Sequence, residues 1–132
     1  MEKFLLLVRQ DLNELKRIDL AEHYDNIRQM MTWVESLAAS GNFNGGEALL
    51  AEGKYVTRDS MLTDGPFIES KESVSGYVLL QAENLEQAAA LARTCPLLMQ
   101  EKLVIEVRPV MFTDPAMLDH VSDGSGRLSA NR

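Results

Sequence analysis

The sequence predicts an α+β domain, one antiparallel sheet with its helices on a single face, and three observations lead there. Three segments alternate side chains with the period of strands, two carry capped amphipathic helical patterns, and the order strand, helix, strand occurs twice.

Residues 2–9 form the first strand. Phe4, Leu6 and Val8 point one way and Leu5 and Leu7 the other, so both faces are apolar and the strand belongs inside the sheet. A polar connection over 11–16 leads to Asp19, an N-cap whose reciprocal partner is Glu22 three residues on. Leu20, Tyr24, Ile27, Met31, Val34 and Ala38 then recur at alternating spacings of four and three. Gly41 ends this helix, expected from about Leu20 to Ser40, and Gly45 and Gly46 extend the break.

Between 47 and 63 the pattern gives an irregular hairpin, with short extended pieces at 48–50, 54–57 and 60–63 and a turn at Arg58-Asp59-Ser60. Asp64-Gly65-Pro66-Phe67 is a hard break, because Gly permits unusual dihedrals and Pro fixes its own. Residues 76–82 make a second strand apolar on both faces. Asn84, with Gln87 in the partner position, caps a second helix whose stripe is Leu85, Ala88, Ala89, Ala92 and Cys95, and Pro96 ends it. Over 102–110, Leu103, Ile105 and Val107 face one way and Val104, Glu106, Arg108 and Val110 the other. The domain thus spans 1–112, and the Gly-containing tail 113–132 is expected to be partly disordered.

Strand-helix-strand twice over is the split β-α-β, ferredoxin-like β-α-β-β-α-β plan, with both helices on one face of the sheet. Two central strands nevertheless place apolar side chains on both faces. The bare face would expose a patch of some hundreds of Å², which at about 25 cal/mol per Å² is several kcal/mol of unrealised burial. A second copy laid sheet to sheet would cover it, so a homodimer is expected; the alternative is that the tail or the 47–63 segment folds back over the bare face.

Composition narrows the functional classes. With 13 Lys and Arg against 20 Asp and Glu, the formal charge of −7 repels phosphate backbones, so nucleic acid is not an expected partner. The apolar run 4–8, which no other run exceeds, falls far short of the roughly 20 residues of a membrane span, and charged neighbours make it a poor signal peptide. The lone cysteine, Cys95, precludes an internal disulfide or a thiolate cluster within one chain, and a cytoplasmic location is expected.

Thr63-Asp64-Gly65-Pro66-Phe67, followed by Glu69, Lys71, Glu72 and Gly76-Tyr77, resembles the signature of the YCII-related family in its Asp-Gly-Pro-Phe (DGPF) branch. Met30, Gly41, Gly46-Glu47 and Leu49 upstream, with Cys95-Pro96 and Glu106-Val107-Arg108-Pro109-Val110 downstream, extend the likeness over about Phe4 to Val110. The resemblance implies a dimeric α+β barrel. It implies less about activity. Some relatives outside the branch are enzymes, one of them removing chloride from a chlorinated hydroxyhydroquinone, and the shorter members carry a histidine on the first helix. Here Met30 stands about three turns before Gly41, and the histidines are His23 and His120, so a histidine mechanism does not carry over. Members of this branch also tend to be encoded beside extracytoplasmic-function sigma factors, which points to a regulatory setting.

The candidate chemistry clusters near the DGPF turn. Lys71 could hold an enolate or carboxylate while Glu69 or Glu72 moves a proton; structurally, Asp64 would accept turn amides, Phe67 would plug the core, and the charges would pair at the surface. Glu106 and Arg108 share the face assigned to the dimer cavity and must pair with each other or contact a ligand, since burying them unpaired would cost several kcal/mol. Met30 reads as core or cavity lining, Cys95 as a small hydrophobe and His23 as a solvated helix-start residue. No phosphate loop or metal-ligand spacing occurs, and no cofactor is expected. The reading is a dimeric small-ligand binding or accessory module, its pocket drawn from Asp64, Phe67, Glu106, Arg108 and Met30. The alternative is a cofactor-independent lyase or isomerase using Glu69, Lys71 and Glu72 on a small oxygenated or aromatic compound. A third reading, partner binding in transcriptional control, rests on the gene-neighbour likeness alone.

Overall fold

The computed structural model describes residues 1–62 and 72–111. Its elements are β1 (Glu2–Asp11), α1 (Leu12–Leu15), α2 (Leu20–Ala39), β2 (Phe43–Ala48), β3 (Tyr55–Val56), β4 (Met61–Leu62), β5 (Glu72–Ala82), α3 (Leu85–Arg93), α4 (Pro96–Met99) and β6 (Val104–Pro109). The α+β architecture has a four-stranded antiparallel sheet in the order β2-β5-β1-β6, and β3 and β4 form a separate small hairpin around the Arg58-Asp59 turn.

Local side-chain chemistry sets the ends of both longer helices. At the start of α2 the Asp19 carboxylate accepts the Glu22 N–H at 2.8 Å. At its end Gly41 takes φ +80°, and the Asn42 N–H donates to the Leu37 carbonyl at 2.9 Å. Asn84 accepts the Gln87 N–H at 2.8 Å, while the Gln87 side chain accepts the Glu83 N–H at 2.5 Å, closing a capping box displaced by one residue.

The core lies between one sheet face and the helices. Phe4, Leu6 and Val8 of β1 and Val78, Leu80 and Ala82 of β5 meet Trp33 and Leu37 of α2, Ala88 and Ala92 of α3, Cys95, and Leu97 of α4. The Trp33 indole donates to the Thr94 hydroxyl at 2.8 Å, so its one polar atom is satisfied where the ring is buried.

Four local expectations change. On α2 the sequence stripe is largely outside: Leu20, Tyr24, Ile27 and Met31 are exposed, and the line facing the sheet is Asn26, Met30, Trp33 and Leu37. Asn26 tolerates burial because Lys102 donates to its side-chain oxygen at 3.0 Å, tying α2 to the approach to β6. The Gly45-Gly46 break proves to be part of edge strand β2. A Cβ at Gly46 would lie 2.6 Å from the Tyr77 carbonyl oxygen, so a residue without a side chain lets β2 reach β5. The connection after β1 contains the short helix α1, capped by Asp11 through the Asn13 N–H at 2.8 Å. Pro96 does not merely end α3; it occupies the first turn of α4, where its missing N–H costs nothing.

Candidate functional site on the open sheet face

Register places the second set of apolar side chains opposite the core. Leu5 pairs with Leu79 and Leu7 with Tyr77 across β1 and β5, and all four are half-buried. On the other side of β1, Glu106 pairs with Leu7 and Arg108 with Leu5, so both charges stand on this same face. Among the described residues, no helix reaches it, since the helices pack on the face of Phe4, Leu6 and Val8.

Arg9, which follows Leu5 and Leu7 on β1, completes the group. Its Nε and Nη2 both donate to Glu106 Oε1, at 3.2 and 2.9 Å. Arg108 Nη1 reaches the other carboxylate oxygen at only 3.5 Å, and its side chain is 65% exposed against 34% for Arg9. Hydrogen bonding from Arg9 holds the Glu106 carboxyl below its ordinary pKa against desolvation, with the charges of Arg9 and Arg108 adding to the effect. The result is a fixed carboxylate between two guanidiniums, one firmly engaged and one loosely held, beside an apolar floor. Such a group can bind an anion or polar head while the floor takes an apolar body.

Of the residues singled out from sequence, Glu106 and Arg108 are thus brought together as a pair. Met30 lies across the sheet from them: it packs on the core side, where its sulfur accepts from Cys95 Sγ at 3.6 Å. Burial raises the Cys95 thiol pKa, as expected of a small core hydrophobe. Asp64, Phe67, Glu69 and Lys71 lie outside the described residues, and the backbone of Glu72 opens β5 opposite Asp11. His23 is exposed in the first turn of α2. Arg9 went unnoticed in the sequence. The available signal was its parity with Leu5 and Leu7, which puts a cation on an otherwise apolar strand face.

A depression of about 440 Å³ lies elsewhere, between α2 and the α3–α4 junction, lined by Arg28, Thr32, Ser36 and Thr94 among others. Its hydroxyls donate to helix carbonyls: Thr32 to Arg28 at 3.0 Å, Ser36 to Trp33 at 2.6 Å and Thr94 to Leu91 at 2.6 Å. Their protons are therefore engaged in the helix backbones. Among the described residues, no group of three or more His, Cys, Asp or Glu is placed to hold a metal ion, and no helix is long and apolar enough to cross a membrane.

No curated protein matches the chain. The family model of the YCII-related domain matches residues 3–113, which takes in the sheet, the helices and the Arg9–Glu106–Arg108 group. The chain therefore belongs to the YCII-related family.

Proposed function

We propose that the chain is a homodimeric small-ligand binding or accessory module of the DGPF branch, with its pocket on the sheet face turned away from the helices. The observation that carries this reading is the in-register set Leu5, Leu7, Tyr77 and Leu79 on that face. Side chains of this kind on a soluble domain favour a covering layer, because each largely buried Leu contributes about 1.5–3 kcal/mol relative to full exposure. The order β2-β5-β1-β6, with every pairing antiparallel, supports a ferredoxin-like plan, and two such sheets face to face make the dimeric α+β barrel. The net charge of −7 speaks against nucleic acid, and the single buried thiol is in keeping with a cytoplasmic setting. Sedimentation velocity at micromolar concentration tests the assembly. A two-chain species is expected, and a stable single chain would remove both the dimer and the enclosed pocket.

A further inference from the structure

We infer that the Arg9–Glu106–Arg108 group selects a small organic anion with an apolar body, a carboxylate of about the size of benzoate, with Arg108 as the binding side chain and Arg9 and Glu106 as positioning residues. The inference rests on the dimeric pocket proposed above and adds the class of ligand that it takes.

Charge does not balance within the group. One carboxylate, Glu106, faces two guanidiniums, and Arg9 takes Oε1 with two hydrogen bonds. Arg108 is left with a 3.5 Å contact to Oε2. Among the described side chains, the other carboxylates on this face do not make up the difference. Asp11 is occupied in capping α1, and Glu47, opposite Tyr77, stands on edge strand β2, three strands from β6. At about 4.8 Å per strand that separation is roughly 14 Å, beyond a direct ion pair. Lys3, which pairs with Gln81 in register and shares the parity of Leu5, adds further positive charge to this face.

Desolvation raises the cost of that imbalance. While the face is open, water solvates Arg108. Once a second copy covers it, a guanidinium held by one long contact to a carboxylate already shared with Arg9 becomes costly, and the planar fork of arginine matches a carboxylate with two parallel donors. Glu106 fixes Arg9 against the sheet, and its second oxygen restrains Arg108 from the side that the ligand does not need. The adjoining Leu5, Leu7, Leu79 and Tyr77 offer contact to a ring or short alkyl body rather than to a second charge.

The test is calorimetric titration of the full chain with benzoate, benzamide and acetate, for the wild type and Arg108→Leu, with sedimentation of each in parallel. Benzoate should bind tighter than benzamide by on the order of tenfold or more, the scale of one charge-assisted hydrogen bond. Acetate, lacking the body, should bind more weakly than benzoate. Arg108→Leu should remain dimeric and lose the preference for benzoate over benzamide. Equal binding of benzoate and benzamide by the wild type would overturn the inference, as would a dimer that binds neither, for then the second copy itself neutralises Arg108. A single-chain species that still prefers benzoate through Arg108 would reject the dimer and keep the ligand class. A single chain without that preference would reject both.

Discussion

On β1, Phe4, Leu6 and Val8 are buried beneath the helices, whereas their neighbours Leu5 and Leu7 stay half-buried on a face that no helix of the core covers. The residue types are alike, and the strand positions differ by one. Chemical identity therefore does not decide which face becomes the core. The helices decide it, through Trp33, Leu37, Ala88, Ala92 and Leu97, and they leave to the other face a smaller apolar floor bordered by an ion group. The faces should answer mutation differently: one as a packed interior, the other as an association and binding surface.

The largest expected effect separates them directly. Leu6→Ala should lower the unfolding free energy by about 2–5 kcal/mol at any protein concentration, because it opens a cavity at a fully buried site. Leu5→Ala should cost less, and its cost should shrink on dilution, because it acts through association. Urea unfolding followed by the fluorescence of Trp33 at two protein concentrations measures both, and equal, concentration-independent losses would erase the distinction.

A smaller effect is expected where the faces share an edge. Gly46→Ala should cost about 1–3 kcal/mol, since the added methyl would meet the Tyr77 carbonyl oxygen at 2.6 Å and push β2 away from β5. Hydrogen exchange should then rise at amides of the β2–β5 ladder more than at those between β1 and β6.

The smallest effect belongs to the ion group. The folded-state pKa of Glu106 lies below its unfolded value, so its stabilising contribution is full above the unfolded pKa and disappears as the pH falls through the folded one. Glu106→Gln should therefore lower Tm modestly at neutral pH, and the difference from the wild type should close in acid. A difference that grew on acidification would contradict the Arg9 pairing.

How much of this was legible in the sequence depended on the range of the forces involved. The caps at Asp19 and Asn84 were readable because donor and acceptor lie three residues apart. The three principal strands were readable from alternation alone. The buried side of α2 was not. Leu20, Tyr24, Ile27 and Met31 form one apolar series and Met30, Trp33 and Leu37 another, offset by a single residue or about 100° around the helix. Only tertiary packing, with Lys102 satisfying Asn26, chooses between them. Edge strand β2 was hidden because Gly45 and Gly46 carry no side-chain alternation, although Gly46 is what permits the close approach to β5. In the candidate site, Glu106 and Arg108 were visible as neighbours of like parity, while Arg9 is 97 residues from Glu106 and meets it only through the β1–β6 register.

The exposed series on α2 supplies a control for the central claim, because it is a second apolar surface on which two copies could meet. Sedimentation equilibrium of the wild type, Leu7→Asp and Ile27→Asp at the same micromolar concentration tests that claim most directly. A charge in the middle of the open sheet face should split the dimer, whereas the same charge on the outer side of α2 should leave two-chain mass unchanged. A dimeric Leu7→Asp together with a monomeric Ile27→Asp would move the interface to the helix and contradict the account.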